Sequence, residues 1–285
     1  MCQFVVAQLN ATVTLSGILT FAHSTTLNDS IHLLTISGNS VVFQSDPTNP
    51  GIIDGLGQLY WDGQGANGGV LKPKLVSTSF KGISYVRGIK IVNAPVSAFS
   101  VGGVDTVFDS IVYDNSLGAP LSNGTLVGHN TDAFDVSASN IVIMNSYVIN
   151  QDDCLAINKG SNITFQNNTC IGGHGISIGS IKTGAVVNNV LVSNCSIIDS
   201  QNGVRIKTVY NDTDASVSNI LYENILLTNI SIYGIDVQQD YLNGGPTGIP
   251  GGQIPITNLT LTNITGTVLP DEGALSTYIL CATGE

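Results

Sequence analysis

The chain has 285 residues, 42% of them hydrophobic and only 10% charged, so it is long enough to bury one large continuous core. A net charge of −11 argues against a nucleic acid as a general partner. No stretch approaches the ~20 consecutive apolar residues of a membrane span, so we expect no membrane association. The 32 glycines, with many Asn, Ser, Thr, Val and Ile residues, indicate a β-rich chain with many turns.

Asn-x-Ser/Thr triplets, the acceptor pattern for N-glycosylation, recur along the whole chain and suggest export. They begin at Asn10, Asn28, Asn123, Asn162, Asn167, Asn194, Asn211, Asn229, Asn258 and Asn263. A β protein rich in Asn and Thr also produces such triplets by chance, which is the alternative explanation. Residues 1–9 lack the basic start and long apolar run of a signal peptide. We therefore expect a secreted protein whose leader is missing from this sequence or has been removed.

Short alternating apolar runs recur from about residue 80 onward. One five-residue pattern, polar-any-apolar-any-apolar, occupies residues 132–136, 153–157, 174–178, 202–206 and 233–237. The steps between successive copies are 21, 21, 28 and 31 residues. A second pattern, an Asn followed by three mostly apolar residues, keeps step with the first. Two strand signals in each repeat, with no helical segment between them, are typical of a solenoid of strands.

The repeat predicts an all-β chain that folds over residues 1–285 as a single right-handed parallel β-helix. A β-sandwich also uses short alternating strands. It would not, however, keep the same residue type at the same place in successive repeats, and tight hairpins would connect many of its strands. The lengthening of the repeat indicates loops inserted on one side of the solenoid, where binding surfaces usually form.

A row of polar residues is predicted along one side of the helix, because equivalent residues of successive coils stack about 4.8 Å apart. Asp132, Asp153 and His174 should share this row. Asp152 can join them if it lies in the turn entering its strand, whereas within the strand it would face the other way. Polar ladders in turns also have purely structural roles, which we prefer for Asn202. Three crowded carboxylates, however, raise the pKa of at least one member, as acid–base cleavage of a glycosidic bond requires.

Two cations should lie beside this row. Arg205 and Lys207 are two residues apart on one predicted strand and so share a face, in a chain with only nine basic residues. Arg binds a carboxylate through two hydrogen bonds, and Lys adds a point charge. The pair favours a uronic acid polymer over a neutral glucan as the substrate.

The five cysteines cannot all pair within one chain. Cys154 and Cys170 lie on adjacent repeats, so a disulfide between them is plausible and would stabilise the fold by roughly 3 kcal/mol. Cys195 could instead be a buried thiol. We expect Cys281 to be half of a bridge whose partner lies beyond the present terminus, and the sequence assigns no partner to Cys2.

Four ordered segments together resemble the signature blocks of the polygalacturonases, the pectin-degrading family 28 of the glycoside hydrolases. They are NTDAFDV at 130–136, QDDCLAI at 151–157, GGHGISIGS at 172–180 and NGVRIKT at 202–208. Further segments are similar to the fungal endo-acting members: YWDGQG at 60–65, KPK at 72–74 and QDYLNGGPTG at 239–248. The resemblance runs from about residue 50 to 281, and both ends look shortened relative to the family.

The resemblance implies endo-acting hydrolysis of α-1,4-galacturonosidic linkages in polygalacturonate, or de-esterified pectin, with inversion at the anomeric carbon. Asp152 would be the general acid. Asp132 and Asp153 would position and deprotonate the attacking water, while His174 would tune the protonation of the acid. A coil spacing of about 4.8 Å is closer to the carboxylate separation of retaining enzymes, so the stereochemistry rests on the resemblance alone.

The remaining implied roles concern substrate binding. Arg205 and Lys207 would hold substrate carboxylates, Tyr241 would contact the sugar on the leaving-group side, and Asn130 would shape the site. The resemblance implies neither a metal nor an organic cofactor, and we expect a monomer. The alternatives are an exo-acting or rhamnogalacturonan-type hydrolase of the family, a calcium-dependent lyase on the same fold, or an inactive pectin-binding relative.

Overall fold

A computed structural model describes residues 9–120, 127–243 and 245–283 of the chain. Within these ranges the chain forms β-strands and short 3₁₀ helices only, and none of its helices is long and apolar enough to cross a bilayer. The 3₁₀ helices are Gly57–Leu59, Gly65–Asn67, Ser116–Gly118 and Pro270–Glu272. The strands are β1 (Thr12–Leu15), β2 (Ile18–Thr20), β3 (His32–Asn39), β4 (Val42–Ser45), β5 (Ile52–Asp54), β6 (Lys74–Lys81), β7 (Ser84–Arg87), β8 (Lys90–Val92), β9 (Phe99–Asp109), β10 (Val112–Asp114), β11 (Phe134–Ser137), β12 (Ser139–Met144), β13 (Tyr147–Ile149), β14 (Leu155–Gln166), β15 (Thr169–Ile171), β16 (Ile176–Ile181), β17 (Val186–Ile198), β18 (Asn202–Val209), β19 (Ser216–Ile230), β20 (Tyr233–Leu242), β21 (Gly245–Pro246), β22 (Ile256–Val268) and β23 (Leu275–Leu280).

The strands coil into three parallel faces. The face that carries the candidate site, called the cleft face below, has the order β3-β6-β9-β11-β14-β16-β18-β20-β23. A second face runs β1-β4-β7-β9-β12-β14-β17-β19-β22. A third face runs β2-β5-β8-β10-β13-β15-β17 and continues through the carboxyl-terminal parts of β19 and β22. Long strands such as β14 and β17 bend from one face into the next. The predicted all-β parallel β-helix is confirmed.

The coils begin earlier than the sequence pattern indicates, because β1 already pairs in parallel with β4. The first coils were missed because the step from His32 to its register partner Lys74 is 42 residues, counted from their numbers, and follows no repeat. After β3, that step contains β4, β5 and a long loop with two 3₁₀ helices. The extent of the domain over residues 1–285 stays a prediction.

Asparagines form the corners between the cleft face and the second face. Asn140, Asn162, Asn189, Asn219 and Asn258 all have φ between 52° and 58°, a left-handed conformation that Asn tolerates better than most residues. Their side-chain amides form ladders along the helix axis, as in the 2.8 Å bond from Asn162 Nδ2 to Asn140 Oδ1. The Asn-led pattern of the sequence is therefore a corner signal that repeats once per coil.

The core is a continuous column of apolar side chains inside the coils. Phe99 and Phe134 stack in consecutive coils with ring centroids 5.5 Å apart, and Phe108 packs edge-on against both. Each coil begins its cleft-face strand at a corner, and there two adjacent residues are both buried in the core. We call this pair the doublet; Ala133 and Phe134 are one example. The residue before each doublet and the residue after it therefore both face outward, which forms two parallel polar rows.

The predicted disulfide and the predicted buried thiol are both present in the structure. Cys154 and Cys170 form a disulfide between neighbouring coils, with a Cα–Cα distance of 5.9 Å. Cys195 is buried, and burial raises the pKa of its thiol to about 12. Cys281 is partly buried against the core, and Cys2 lies outside the described residues.

Candidate active site

The polar row that precedes the buried doublets contains the predicted acids. β11, β14 and β16 pair in register, so that Asp132, Asp153 and His174 each lie two residues before a matched position. Backbone bonds continue the register into the corner: Ala133 N donates to Asp153 O, at 3.0 Å. The predicted polar row is thus present. Asn202, in the same row, donates from its side chain to the carbonyl of His174, which fits the structural role preferred for it.

Asp152 lies in the turn between β13 and β14, where the strand alternation does not apply. Its Oδ1 accepts the backbone N–H of Asp153 at 2.8 Å and lies 3.0 Å from Nδ1 of His174. Asn130 Nδ2 donates to its Oδ2 at 3.3 Å. Carboxylate oxygens of Asp132, Asp152 and Asp153 lie within 4.8 Å of one another. The turn therefore brings the third carboxylate into the cluster.

Asp153 is held by two donors. Lys207 Nζ donates to its Oδ2 at 2.8 Å, and Ser177 Oγ donates to its Oδ1 at 2.5 Å. All three residues are buried. Three carboxylates at this spacing could also bind a metal cation. One of them, Asp153, already has a positive charge beside it, the ammonium group of Lys207.

The acids of this cluster differ strongly in pKa. Burial, followed by the charges of Asp152 and Asp135, raises the pKa of Asp132 well above its usual range. Burial would also raise the pKa of Asp152, but the charge and hydrogen bond of His174, with the charge of Lys207, lower it below its usual range. Burial would lower the pKa of His174, yet the charge and hydrogen bond of Asp152 raise it. Both pKa shifts favour a protonated His174 beside an ionised Asp152, and the two groups are 3.0 Å apart.

The two cations project from β18 and are both held by acids. Arg205 Nε donates to Asp236 Oδ2 at 2.9 Å, which fixes the guanidinium plane. The guanidinium carbon of Arg205 lies 5.7 Å from the ring centroid of Tyr241, and Lys207 Nζ lies 5.4 Å from the same centroid. Tyr241 therefore lies beside both cations at the cleft.

A cleft of about 500 Å³ contains all of these predicted site residues. Asn130 hydrogen-bonds both to the loop that forms one wall of the cleft and to the acid cluster. Its Oδ1 accepts hydrogen bonds from Ala66 N at 3.1 Å and Asn67 Nδ2 at 3.3 Å, while its Nδ2 reaches Asp152. Gly65, with φ +56°, is required here, since an added Cβ would lie 2.4 Å from Asn130 Oδ1. Asn130 thus connects a loop of the first coils to the acid cluster.

Two residues that position the site, Ser177 and Asp236, were not predicted from the sequence. Ser177 lies in register with Arg205, in the second outward row, and a full repeat alignment could have found it. Asp236 also lies in that row, opposite Arg205 in the next coil. Its carboxylate has no exposed surface, and burial, opposed by the charge of Arg205, raises its pKa. The pattern "polar residue after the doublet" is the signal that identifies both.

Comparison with known proteins places this chain in a family. Residues 3–285 match the sequence profile described as glycosyl hydrolases family 28. The chain is 46% identical over 281 residues to endopolygalacturonase I of Aspergillus oryzae, covering 98% of this chain and 73% of that protein. It is 46% identical over 280 residues to a polygalacturonase of Cochliobolus carbonum, covering 96% and 73%.

Solved structures agree with the sequence match. Endopolygalacturonase I from Stereum purpureum, solved in complex with two galacturonates, superposes with a TM-score of 0.78 at 38% identity, covering 93% of this chain and 79% of that one. An endo-xylogalacturonan hydrolase from Aspergillus tubingensis shares the fold, with a TM-score of 0.68 at 20% identity over 99% of this chain and 86% of that one. By its sequence profile and its relatives, this chain belongs to family 28 of the glycosyl hydrolases.

Proposed function

We propose that the chain hydrolyses internal α-1,4-galacturonosidic linkages of polygalacturonate with the aspartate cluster. The observation that carries the proposal is the packing of three carboxylates within 4.8 Å of one another in a cleft that also contains Arg205 and Lys207. Acids alone suit many glycosidases. The two cations beside them favour a polymer whose sugars carry carboxylates. The endopolygalacturonases among the relatives support the same substrate and an internal site of cleavage.

Asp152 is the proposed general acid. In the free protein the proton stays on His174, because the ion pair keeps Asp152 ionised. A galacturonate bound beside the pair adds negative charge and removes water, and both effects favour the protonated carboxyl. The proton then passes from His174 to Asp152, which delivers it to the leaving oxygen, and His174 is protonated again between turnovers. Asn130, through its bond to Oδ2, keeps the carboxyl oriented.

Asp132 and Asp153 are the proposed base and its partner. Asp153 is fixed by Lys207 and Ser177, so its carboxylate cannot turn away from the cluster. A water between it and Asp132 would be deprotonated as it attacks the anomeric carbon. We propose inversion, as the resemblance to polygalacturonases implies, although the carboxylates are closer than the ~6.5–9.5 Å typical of inverting enzymes. Proton NMR of the first-formed anomer tests this point, and a product that keeps the substrate's configuration would refute it.

The raised pKa of Asp132 offers a second assignment, in which Asp132 is the acid. An oligogalacturonide with a nitrophenyl leaving group separates the two, because such a leaving group needs no proton. We expect Asp152→Asn to lose activity on polygalacturonate and retain it on the nitrophenyl substrate, whereas Asp132→Asn loses both. The reverse pattern would make Asp132 the acid.

The overall function is tested with polygalacturonate, following reducing ends, viscosity and absorbance of unsaturated products, with and without chelator. We expect a rapid drop in viscosity, no effect of chelator and no unsaturated product. Unsaturated products would refute hydrolysis in favour of a lyase, and a slow viscosity drop would favour an exo-acting enzyme. Asp152→Asn should abolish turnover and still bind oligogalacturonate, and no turnover by the folded wild-type chain would favour an inactive pectin-binding relative.

Secretion, glycosylation and a monomeric state complete the proposal. The described Asn residues that begin glycosylation triplets are all exposed, which supports access to them; Asn123 lies outside the described residues. Mass spectrometry of the protein from a secreting host tests their occupancy. Light scattering tests the monomeric state.

A further inference from the structure

The corner between the second and third faces carries three of the Asn-x-Ser/Thr triplets. Asn167, Asn194 and Asn263 begin them, and the residues that precede these asparagines are linked through the register of β14, β17, β19 and β22. All three asparagines are exposed and have φ between 51° and 56°. The hydroxyl residue of each triplet is at least partly exposed on the third face. Glycans on these residues would therefore leave the solenoid along one edge.

An exposed aromatic ring lies beside the Asn167 triplet. Tyr147 is the register partner of Thr169, the hydroxyl residue of that triplet, and its side chain is 43% exposed. Asn167 Nδ2, the atom to which a glycan is attached, is directed toward Asn145 Oδ1 in the coil of Tyr147. Asn145 precedes Tyr147 by two residues, or about 7 Å along a strand. The first sugar of a glycan at Asn167 would therefore emerge next to the tyrosine ring.

The other two triplets of this corner have no ring at the matching place. Ser196, the hydroxyl residue of the second triplet, faces Thr169 in the preceding coil. Thr265, the hydroxyl residue of the third triplet, faces Leu226. A threonine or a leucine offers no flat surface on which a sugar ring can lie. The corner thus contains its own comparison sites for the contact at Tyr147.

The side-chain amide of Asn167 contributes little to the asparagine ladder of this corner. Its Nδ2 lies 3.5 Å from Asn145 Oδ1, at the limit of a hydrogen bond, whereas Asn263 Nδ2 donates to Asn224 Oδ1 at 2.7 Å. Glycosylation replaces one hydrogen of this amide and adds bulk beside it. The ladder therefore loses less when Asn167 is glycosylated than when Asn263 is.

Tyr147 belongs to an exposed apolar patch on the third face. Its register partner Val112, in the preceding coil, is also exposed. Ile149 and Ile171 are register partners on the same face and are partly exposed. Covering such a patch removes apolar surface from water. The CH groups on one side of an N-acetylglucosamine ring can lie flat on a tyrosine ring while the sugar hydroxyls stay in water.

We propose that Asn167 carries an N-linked glycan whose first N-acetylglucosamine packs on the ring of Tyr147 and so stabilises the fold. This rests on the proposed secretion and glycosylation of the chain. Tyr147 and Asn167 are 20 residues apart, counted from their numbers, and only the stacking of two coils brings them together. The sugar therefore covers the ring in the folded chain and not in the unfolded one, which makes the contact stabilising.

A double-mutant cycle on the glycosylated protein tests the contact. The protein comes from a secreting eukaryotic host and is trimmed with an endoglycosidase that leaves the first sugar on each acceptor. Thr169→Val removes the triplet but keeps Asn167 in its left-handed corner. We expect it to lower the melting temperature by about 2–4 °C in the wild type and hardly at all in Tyr147→Ala. Thr265→Val is the matched control at the same corner, and its effect should not depend on Tyr147.

Two controls separate the sugar from the direct contact of residues 147 and 169. The same four proteins made without glycans in bacteria should show no dependence of one substitution on the other. Tyr147→Phe keeps the ring and should keep the full effect of Thr169→Val in the glycosylated protein. Equal coupling with and without glycans, or no coupling in the glycosylated protein, would overturn the packing of the sugar on Tyr147.

Peptide mass spectrometry of the secreted protein decides the site itself. We expect a glycan on Asn167. An empty Asn167 beside occupied triplets would overturn the site and leave the proposed glycosylation intact, whereas glycans on no triplet would overturn both. Failure of the proposed hydrolysis would not alter these measurements, since the cleft is lined by neither Tyr147 nor the Asn167 triplet.

Discussion

Removal of the ammonium group from the acid cluster should destabilise the fold strongly. Lys207 Nζ and Asp153 Oδ2 are 2.8 Å apart, and the two side chains are only 6% and 3% exposed. Lys207→Met keeps the length of the side chain and removes its charge. Asp153 is then left buried beside Asp152 and Asp132, with its hydrogen bond from Ser177 but no cation in contact.

The size of the effect follows from this geometry. Two unit charges 2.8 Å apart attract by about 6 kcal/mol at an effective dielectric constant of ~20. Desolvation offsets part of this attraction, and breaking one side of a buried pair typically costs about 3–5 kcal/mol. The loss should shrink at low pH. Burial and the charge of Asp152 raise the pKa of Asp132 in the folded state. As the pH falls toward that pKa, Asp132 binds a proton, and its repulsion of the unpaired Asp153 carboxylate disappears.

Urea unfolding followed by fluorescence of the single tryptophan, Trp61, measures the effect. We expect Lys207→Met to lower the free energy of unfolding by about 3–5 kcal/mol at pH 7 and by clearly less at pH 4. Adding Asp153→Asn should restore most of the loss, because the buried charge is gone. Lys182→Met, at an exposed lysine, is the control and should change little. A loss below about 1 kcal/mol, or a double variant as unstable as the single one, would refute the charge argument.

Two further predictions concern the other links of the site. His174→Gln keeps a hydrogen bond to Asp152 but removes the charge. The lowered pKa of Asp152 stabilises the fold at pH values above the pKa of that carboxyl in the unfolded chain, and the raised pKa of His174 stabilises it at pH values below the unfolded pKa of the imidazole. The variant should therefore be least stable relative to wild type between about pH 4 and 6.5. Thermal melts across pH 3–9 check this, and a difference that does not change with pH would contradict it. Replacing both Cys154 and Cys170 by Ala opens a 16-residue link and should cost roughly 3 kcal/mol of unfolding free energy. A loss near zero in urea titrations would show that the neighbouring coils hold that segment without the bridge.

The sequence alone determined the coil and the order of the acids along it. The pattern that starts at Asp132, Asp153 and His174 repeats with little change in length, and strands that stack in register turn such a repeat directly into a row in space. The Asn-led corners follow for the same local reason, since a left-handed corner residue is a property of one position. The disulfide between Cys154 and Cys170 also followed, because both lie within the regular part of the repeat.

Only the tertiary structure decided which charges meet. Lys207 and Asp153 are 54 residues apart, and their bond depends on how far each side chain reaches across the coils between them. Asn130 reaches the loop at Ala66 across 64 residues. The row that carries the acids continues to Lys74, but loops of irregular length separate the first coils and hide the repeat. Local periodicity is written in the sequence, whereas distances across coils of unequal length are set by the packed helix as a whole.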